Sequence, residues 1–317
     1  MVRIDWCFLA LFLSESDVAS LVSVADALEA VEGCFRRLAD GQIENRPRTR
    51  SPLPGGAFAV MSAVDAGLGL AGVKSYASLP GGTPFVLCLF DLERAELAAV
   101  IEADRLGQLR TGAASGVAAK HLARGGARTL GVIGCGWQAE GQVEAIRHAV
   151  PTVEQVVAYC RSRDRLADFC QRLGVEPADS HREPGAQEVV VTATTSRDPV
   201  LRGEWLRLGA LVCAVGANQR HARELDDVVL ERAQLVCCDS LEQSKLESGD
   251  LVEPVEHGVL DWLEVHELQE VVSGQLPARQ SDEDIVCFKS NGLAAWDVAV
   301  GAVALEHARE RGVGREL

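Results

Sequence analysis

The sequence predicts an α/β protein whose first third is mixed α and β and whose second part is a doubly wound parallel sheet. Three observations carry that prediction. From Arg128 onward, nearly continuous apolar runs at residues 129–133, 155–160, 188–193, 210–215 and 234–238 alternate with helical stretches, and such runs belong to parallel strands covered on both faces. A glycine-rich string, Gly134-Cys135-Gly136-Trp137-Gln138-Ala139, follows the first of these runs and opens a helix. Finally, 317 residues with 47% hydrophobic and 24% charged content suffice for two ordinary cores.

Taken in order, residues 6–13 form an apolar run after Asp5 that is too short to span a bilayer and is followed by no small-residue cleavage site. It reads as a strand in a cytoplasmic protein. Ser14 and Asp17 have the spacing of a capping box, and Val18, Leu21, Val22, Ala25, Leu28 and Val31 recur at helical intervals, predicting one helix over residues 17–39 closed by Gly41. Between Asn45 and Leu89 short apolar runs (57–61, 72–76, 85–90) are broken by Pro52, Pro54, Gly55, Gly56, Pro80, Gly81 and Gly82, the pattern of a strand meander. Two helices are expected next, at 92–104 and 108–124. The second is rich in small residues from Gly112 to Gly116 and stops at Gly125-Gly126. A last amphipathic helix, 294–311, carries Trp296, Val300, Val303, Ala304 and His307 on one side.

Charge and cysteine usage narrow the function. A formal net charge of -15 with no basic stretch argues against a nucleic-acid partner and for a small molecule. The ten cysteines form no CxxC pair; they are scattered singly (Cys7, Cys88, Cys213, Cys287) apart from Cys237 and Cys238, which predicts buried free thiols. The seven histidines lack metal-ligand spacing, so no metal is expected. Asp226 and Asp227 are read as caps of a helix reaching Arg232, Asp297 as a cap or ion-pair partner in the last helix, and the acidic run 282–284 as a solvated face.

The glycine string carries the chemistry. Its place between strand and helix makes it a Rossmann fingerprint: Gly134 allows the tight turn, Gly136 lets backbone approach a pyrophosphate, and Ala139 lets the helix pack on the strand. The pyrophosphate then sits on the helix N-terminus. An acid about 20 residues on would hold the ribose hydroxyl of NAD. Here the second strand ends in Cys160-Arg161-Ser162-Arg163, and two guanidinium groups with a hydroxyl suit a 2'-phosphate. NADP(H) is therefore the preferred cofactor, with NAD(H) as the alternative.

Four strings together, residues 108–113 (Gln-Leu-Arg-Thr-Gly-Ala), 134–140, Gly216-Ala217-Asn218 followed by Arg223-Glu224-Leu225-Asp226, and Phe288-Lys289-Ser290-Asn291-Gly292, resemble the ornithine cyclodeaminase and mu-crystallin family. The resemblance implies a homodimer in which residues 1–113, joined by 293–317, form a substrate and dimerisation domain, with a Rossmann domain, 114–292, inserted. It also implies an NAD(P)H-dependent reductase of imines, or an amino-acid dehydrogenase, moving hydride between a nicotinamide and the α-carbon of a small imino or amino acid. By the same likeness Arg48, Lys74 and Arg110 surround the substrate carboxylate, with Arg46 and Arg50 as alternative matches for the first. Lys74 and Asn218 fall at catalytic positions. Thr111, Gly134, Gly136, Trp137, Gln138, Ala139, Arg161, Ser162, Arg163, Thr194, Val215, Gly216, Ser290 and Gly292 fall at the dinucleotide.

Two departures redirect the expectation. Where ornithine cyclodeaminases carry acids, this chain has Ala59 and Asn218, and an amide cannot take a proton at neutral pH. Ornithine is then a poor substrate unless another carboxylate, such as Glu44, reaches in. A mu-crystallin-like ligand-binding protein without catalysis is the alternative from another class.

Overall fold

Capping chemistry sets the first helices. In the computed structural model, which describes residues 10–317, Ser14 and Asp17 cap each other reciprocally at the start of α1 (Glu15–Leu21). Ser23 and Asp26 repeat the box at the start of α2 (Val24–Ala39). The single helix expected over 17–39 is therefore two, because the Ser23 hydroxyl offers the Asp26 amide a partner outside a continuous helix. Of the expected first strand, residues 6–9 lie outside the described residues; the remainder forms β1 (Leu11–Leu13).

The first sheet contains β1, β2 (Ile43–Leu53), β3 (Gly56–Asp65), β4 (Leu70–Ser78), β5 (Phe85–Asp91) and β6 (Glu96–Glu102). β2 to β6 pair antiparallel in succession, and β1 lies parallel against β6. The helix expected at 92–104 is absent: residues 92–95 form a turn, and the apolar run Leu97 to Ile101 is the strand β6, inserted between β5 and β1. A short apolar run does not distinguish buried strand from helix, and pairing on both edges decides it. One face of this sheet, with Met61, Leu87 and Leu89, packs under the C-terminal helix Ala294–Arg311, which buries Trp296 completely. Gly72 makes room there, since a Cβ would stand 2.6 Å from Val298.

The second sheet contains β7 (Thr129–Ile133), β8 (Gln155–Tyr159), β9 (Glu176–Pro177), β10 (Val189–Thr192), β11 (Leu211–Ala214), β12 (Ala233–Cys238), β13 (Val265–Glu267) and β14 (Ile285–Lys289). All its pairs are parallel, in the order β13-β12-β14-β11-β10-β7-β8-β9. Strand order reverses between β7 and β10, the switch point at which doubly wound sheets take their ligands. A last strand, β15 (Arg315–Glu316), returns to the first sheet and pairs antiparallel with β1.

Two segments cross between the sheets. One is α3 (Asp104–Leu122), buried along nearly its whole length; the other is residues 290–293, which lead from β14 into the C-terminal helix. Its small residues bring α3 against α4 (Trp137–Ala149): a Cβ on Gly112 would stand 2.3 Å from the Gly141 carbonyl. The described cysteines carry free thiols, most of them buried.

Candidate active site

The glycine turn forms one wall of a cleft between the sheets. Gly134 donates its N–H to the Tyr159 carbonyl (2.9 Å) and has φ +120°, and a Cβ there would strike the Ala193 carbonyl at 2.3 Å. Gly136 begins α4 without a side-chain cap, and the space where its Cβ would lie is open. The first amides of α4 are thus left for an anionic ligand. This fits a pyrophosphate in shape and in hydrogen-bonding character.

Across the switch point one buried carboxylate shapes two loops. Glu224 accepts from Thr194 N and Oγ1 (2.7 Å each) through Oε1 and from Gly216 N (2.7 Å) and Thr192 Oγ1 (3.0 Å) through Oε2. Burial raises its pKa, opposed by the charge of Lys289. Asp239 does the same for the third loop, accepting from Ser290 Oγ (3.1 Å), Asn291 N (2.7 Å) and Gly292 N (2.6 Å).

The opposite wall is cationic. Lys74, 1% exposed, donates to Asp297 Oδ1 at 2.7 Å, and Arg110 Nε reaches the same oxygen at 3.1 Å. Asp297 is fully buried and its Oδ2 has no protein partner. Burial lowers the Lys74 pKa to about 8; Asp297 opposes the shift, and Arg110 and Arg48 add to it. Gly292, at φ +87°, lets Arg110 pass, since a Cβ would stand 2.7 Å from its Nη1. Arg48 donates to Glu247 Oε1 (2.5 Å) and to the Asn291 carbonyl (2.8 Å). Arg50 pairs with the other oxygen of Glu247 and donates to the Asn218 carbonyl (2.9 Å).

Of the residues singled out in the sequence, Arg48, Lys74, Arg110, Thr111, Gly136, Trp137, Gln138, Thr194, Val215, Gly216, Asn218, Ser290 and Gly292 line this one cleft of about 880 Å³. Gly134 and Ala139 stand behind it as packing positions. Arg161, Ser162 and Arg163 are not among the lining residues: they follow the C-terminal end of β8, all exposed, with the Ser162 hydroxyl capping the next helix and Arg163 3.7 Å from Asp179. Glu44 stays outside the cleft, exposed and paired with Arg46. The acids that do line it are Asp104 and Glu247, neither singled out by the sequence, and burial and Glu15 raise the Asp104 pKa.

A doubly wound sheet with an open glycine turn at its switch point, facing a buried cationic cluster, defines a Rossmann-fold protein built around an anionic small molecule. Residues 10–312 match the model of the ornithine cyclodeaminase/mu-crystallin family, and the chain belongs to that family. It is 37% identical to the alanine dehydrogenase of Archaeoglobus fulgidus, over 97% of this chain and 98% of that one. Among solved structures it resembles Thermococcus litoralis Delta(1)-pyrroline-2-carboxylate reductase in complex with NADH and L-proline (TM-score 0.92, 33% identity, 97% of this chain and 100% of that chain). An archaeal alanine dehydrogenase dimer with bound NAD is similarly close (TM-score 0.92, 35% identity, 98% and 99% covered).

Proposed function

We propose that this protein is an NAD(P)(H)-dependent oxidoreductase that reduces the C=N bond of a small α-imino acid and, in reverse, oxidises the corresponding amino acid. The observation that carries this reading is the sharing of one Asp297 oxygen by Lys74 and Arg110 at the cleft wall facing the glycine turn. Two cations on one carboxylate leave a positive charge that a substrate carboxylate neutralises, and arginine supplies forked donors for it. Relatives named alanine dehydrogenase and pyrroline-2-carboxylate reductase act at such a carbon.

A nicotinamide held in this cleft would supply the hydride for reduction and accept it in oxidation. Arg110 and Lys74 fix the carboxylate, so that the imine carbon is held in line, and Arg48 adds its charge from beside Met61. Reduction of the C=N bond leaves its π pair on nitrogen, where a neutral imine needs one proton. Lys74 Nζ, with its pKa near 8, gives that proton and regains it from solvent. The Asn218 amide takes no proton; its carbonyl groups orient Arg50. The amides after Gly136 would hold the pyrophosphate, and Thr194, Val215, Gly216, Ser290 and Gly292 would hold the nicotinamide half.

NADP(H) is the favoured dinucleotide in this reading, with NAD(H) also accepted. It is supported by the exposed Arg161 and Ser162 beyond β8 and by the lack of a carboxylate at residues 160–163. The chain divides into a substrate part, residues 1–113 with 293–317, and a dinucleotide part, 114–292. The enzyme is a cytoplasmic homodimer in which the bare outer face of the first sheet, with Phe58, Val64, Val73 and Phe90 exposed, meets its copy.

The test is NAD(P)H oxidation against a panel of keto acids with ammonia or methylamine. Steady turnover is expected, faster with NADPH than NADH. Arg161→Asp should erase that preference and Arg110→Ala should raise KM and lower kcat. Proline formation from ornithine should be negligible beside this. Dinucleotide binding without turnover of any imine would overturn the enzyme reading and leave a ligand-binding protein.

A further inference from the structure

We propose that Arg50 is a specificity-determining residue that receives a second carboxylate, so that the imino acid taken by this cleft is dicarboxylic; the inference rests on the imino-acid reading above. Strand register places Arg50 where a substrate side chain would lie. Arg50 pairs with Ala59, and Ala59 with Tyr76; one step of two residues along the strands, Met61 pairs with Lys74. Side chains two apart share a face, so the Arg50 row and the Lys74 row open on the same cleft, separated by about 7 Å of strand. A four- or five-carbon diacid bridges such a distance once the reach of the two cationic side chains is counted. Between the rows the wall is Ala59, whose single methyl leaves the space beside Arg50 unfilled.

The charges point the same way. Lys74 and Arg110 share Asp297; Arg48 and Arg50 share Glu247. Each group holds one more cation than carboxylate in direct contact, and the first also feels the Asp104 carboxylate at the cleft wall. A monocarboxylic imino acid neutralises the first group and leaves the second to be desolvated uncompensated, and a side-chain ammonium adds like-charge repulsion to it. A dicarboxylate balances both. Asp104 also lines the cleft, and the remaining lining arginine, Arg220, is already paired with Glu256.

Of the two arginines on Glu247, each with three contacts, Arg50 is the one open to the cleft. Arg48 is buried, with Nε on Met61 Sδ, Nη1 on Glu247 and Nη2 on the Asn291 carbonyl. The Arg50 side chain is 26% exposed on the cleft, and its acceptors are one Glu247 oxygen and the two oxygens of Asn218. A guanidinium carries five donors, so a carboxylate can be added without breaking these contacts.

The experiment compares imines formed from ammonia with oxaloacetate or 2-oxoglutarate against those formed with pyruvate or 2-oxobutyrate, in the protein with NADPH. A dicarboxylic preference of at least tenfold in kcat/KM is expected. Arg50→Met should cut dicarboxylic kcat/KM by about tenfold to a hundredfold, as for loss of a charge-assisted contact, and lower the dicarboxylic-to-monocarboxylic ratio; Arg50→Lys should restore part of it. An equilibrium readout accompanies the rates: aspartate or glutamate should bind the protein–NADP+ complex more tightly than alanine, and this difference should shrink in Arg50→Met. Unchanged thermal midpoint and dinucleotide affinity show that the variant is folded. A parent that prefers pyruvate, or a ratio unmoved by Arg50→Met, overturns the inference alone. Turnover of no imino acid overturns the reading of the reaction, and this inference with it.

Discussion

A lysine with 1% of its surface exposed is tolerated at position 74 because Asp297 meets it at 2.7 Å, yet burial and two neighbouring arginines still favour its neutral form. On the proposal that Lys74 gives the proton, its pKa lowered to about 8 means that the reductive reaction should slow as pH rises through about 8. The oxidative reaction should accelerate over the same interval. Lys74→Met should lower both rates, by about a hundredfold or more for a proton-transfer group, and remove this limb from the pH–rate profile. A limb that survives in the variant assigns the titration elsewhere. Lys74 and Arg110 were legible in the sequence because each interrupts a run of small or apolar residues. Asp297 was read as a cap or an ion-pair partner in the last helix, but which cations it meets was not legible, since it lies 223 residues from Lys74 and 187 from Arg110. Glu247 and Asp239 were missed for the same reason, and Glu224 stood only as one letter of a string with no role assigned. Their role comes from the loops that fold over them.

Among elements, the parallel strands were legible because both faces are covered and the runs are apolar throughout. β2 was hidden, since Ile-Glu-Asn-Arg-Pro-Arg-Thr-Arg-Ser-Pro-Leu has no apolar alternation; Ile43 packs against the core, while Arg48 and Arg50 line the cleft. β6 carried a run that both structures accept, and only its neighbours settle the choice. The break between α1 and α2 was written in Ser23 and Asp26, but the helical spacing of Val22 and Ala25 masked it. Ser23→Ala should therefore lower stability by about 1 kcal/mol, against a few tenths for Ser23→Gly. The denaturant midpoint measures this, and equal losses for the two would show that the cap contributes nothing.

At the scale of the whole molecule, the two sheets use opposite strategies. The second is wrapped by helices on both faces, whereas the first packs one face on the C-terminal helix and leaves the other, among the described residues, apolar and uncovered. On the dimer reading, Val73→Asp at the centre of that face should convert the protein to a monomer and cost activity through loss of stability. Analytical ultracentrifugation decides: a parent that sediments as a monomer refutes the arrangement. The presence of two sheets was legible from the change of pattern at Arg128, but the return of the chain to the first sheet was not readable from spacing, because β15 is two residues long and the final helix gives no address.

That return fixes an order of assembly during synthesis. The strands of the second sheet are contiguous, from Thr129 to Lys289, and can pair as they leave the ribosome. The first sheet must wait with one face uncovered until residues 294–311 are made, and Lys74 and Arg110 wait with it, two cations without their carboxylate. The last strand of the dinucleotide sheet, ending at Lys289, fills the place between β11 and β12, so that sheet closes only just before Asp297 is made, and a chain that stops short of Asp297 has no anchor to offer.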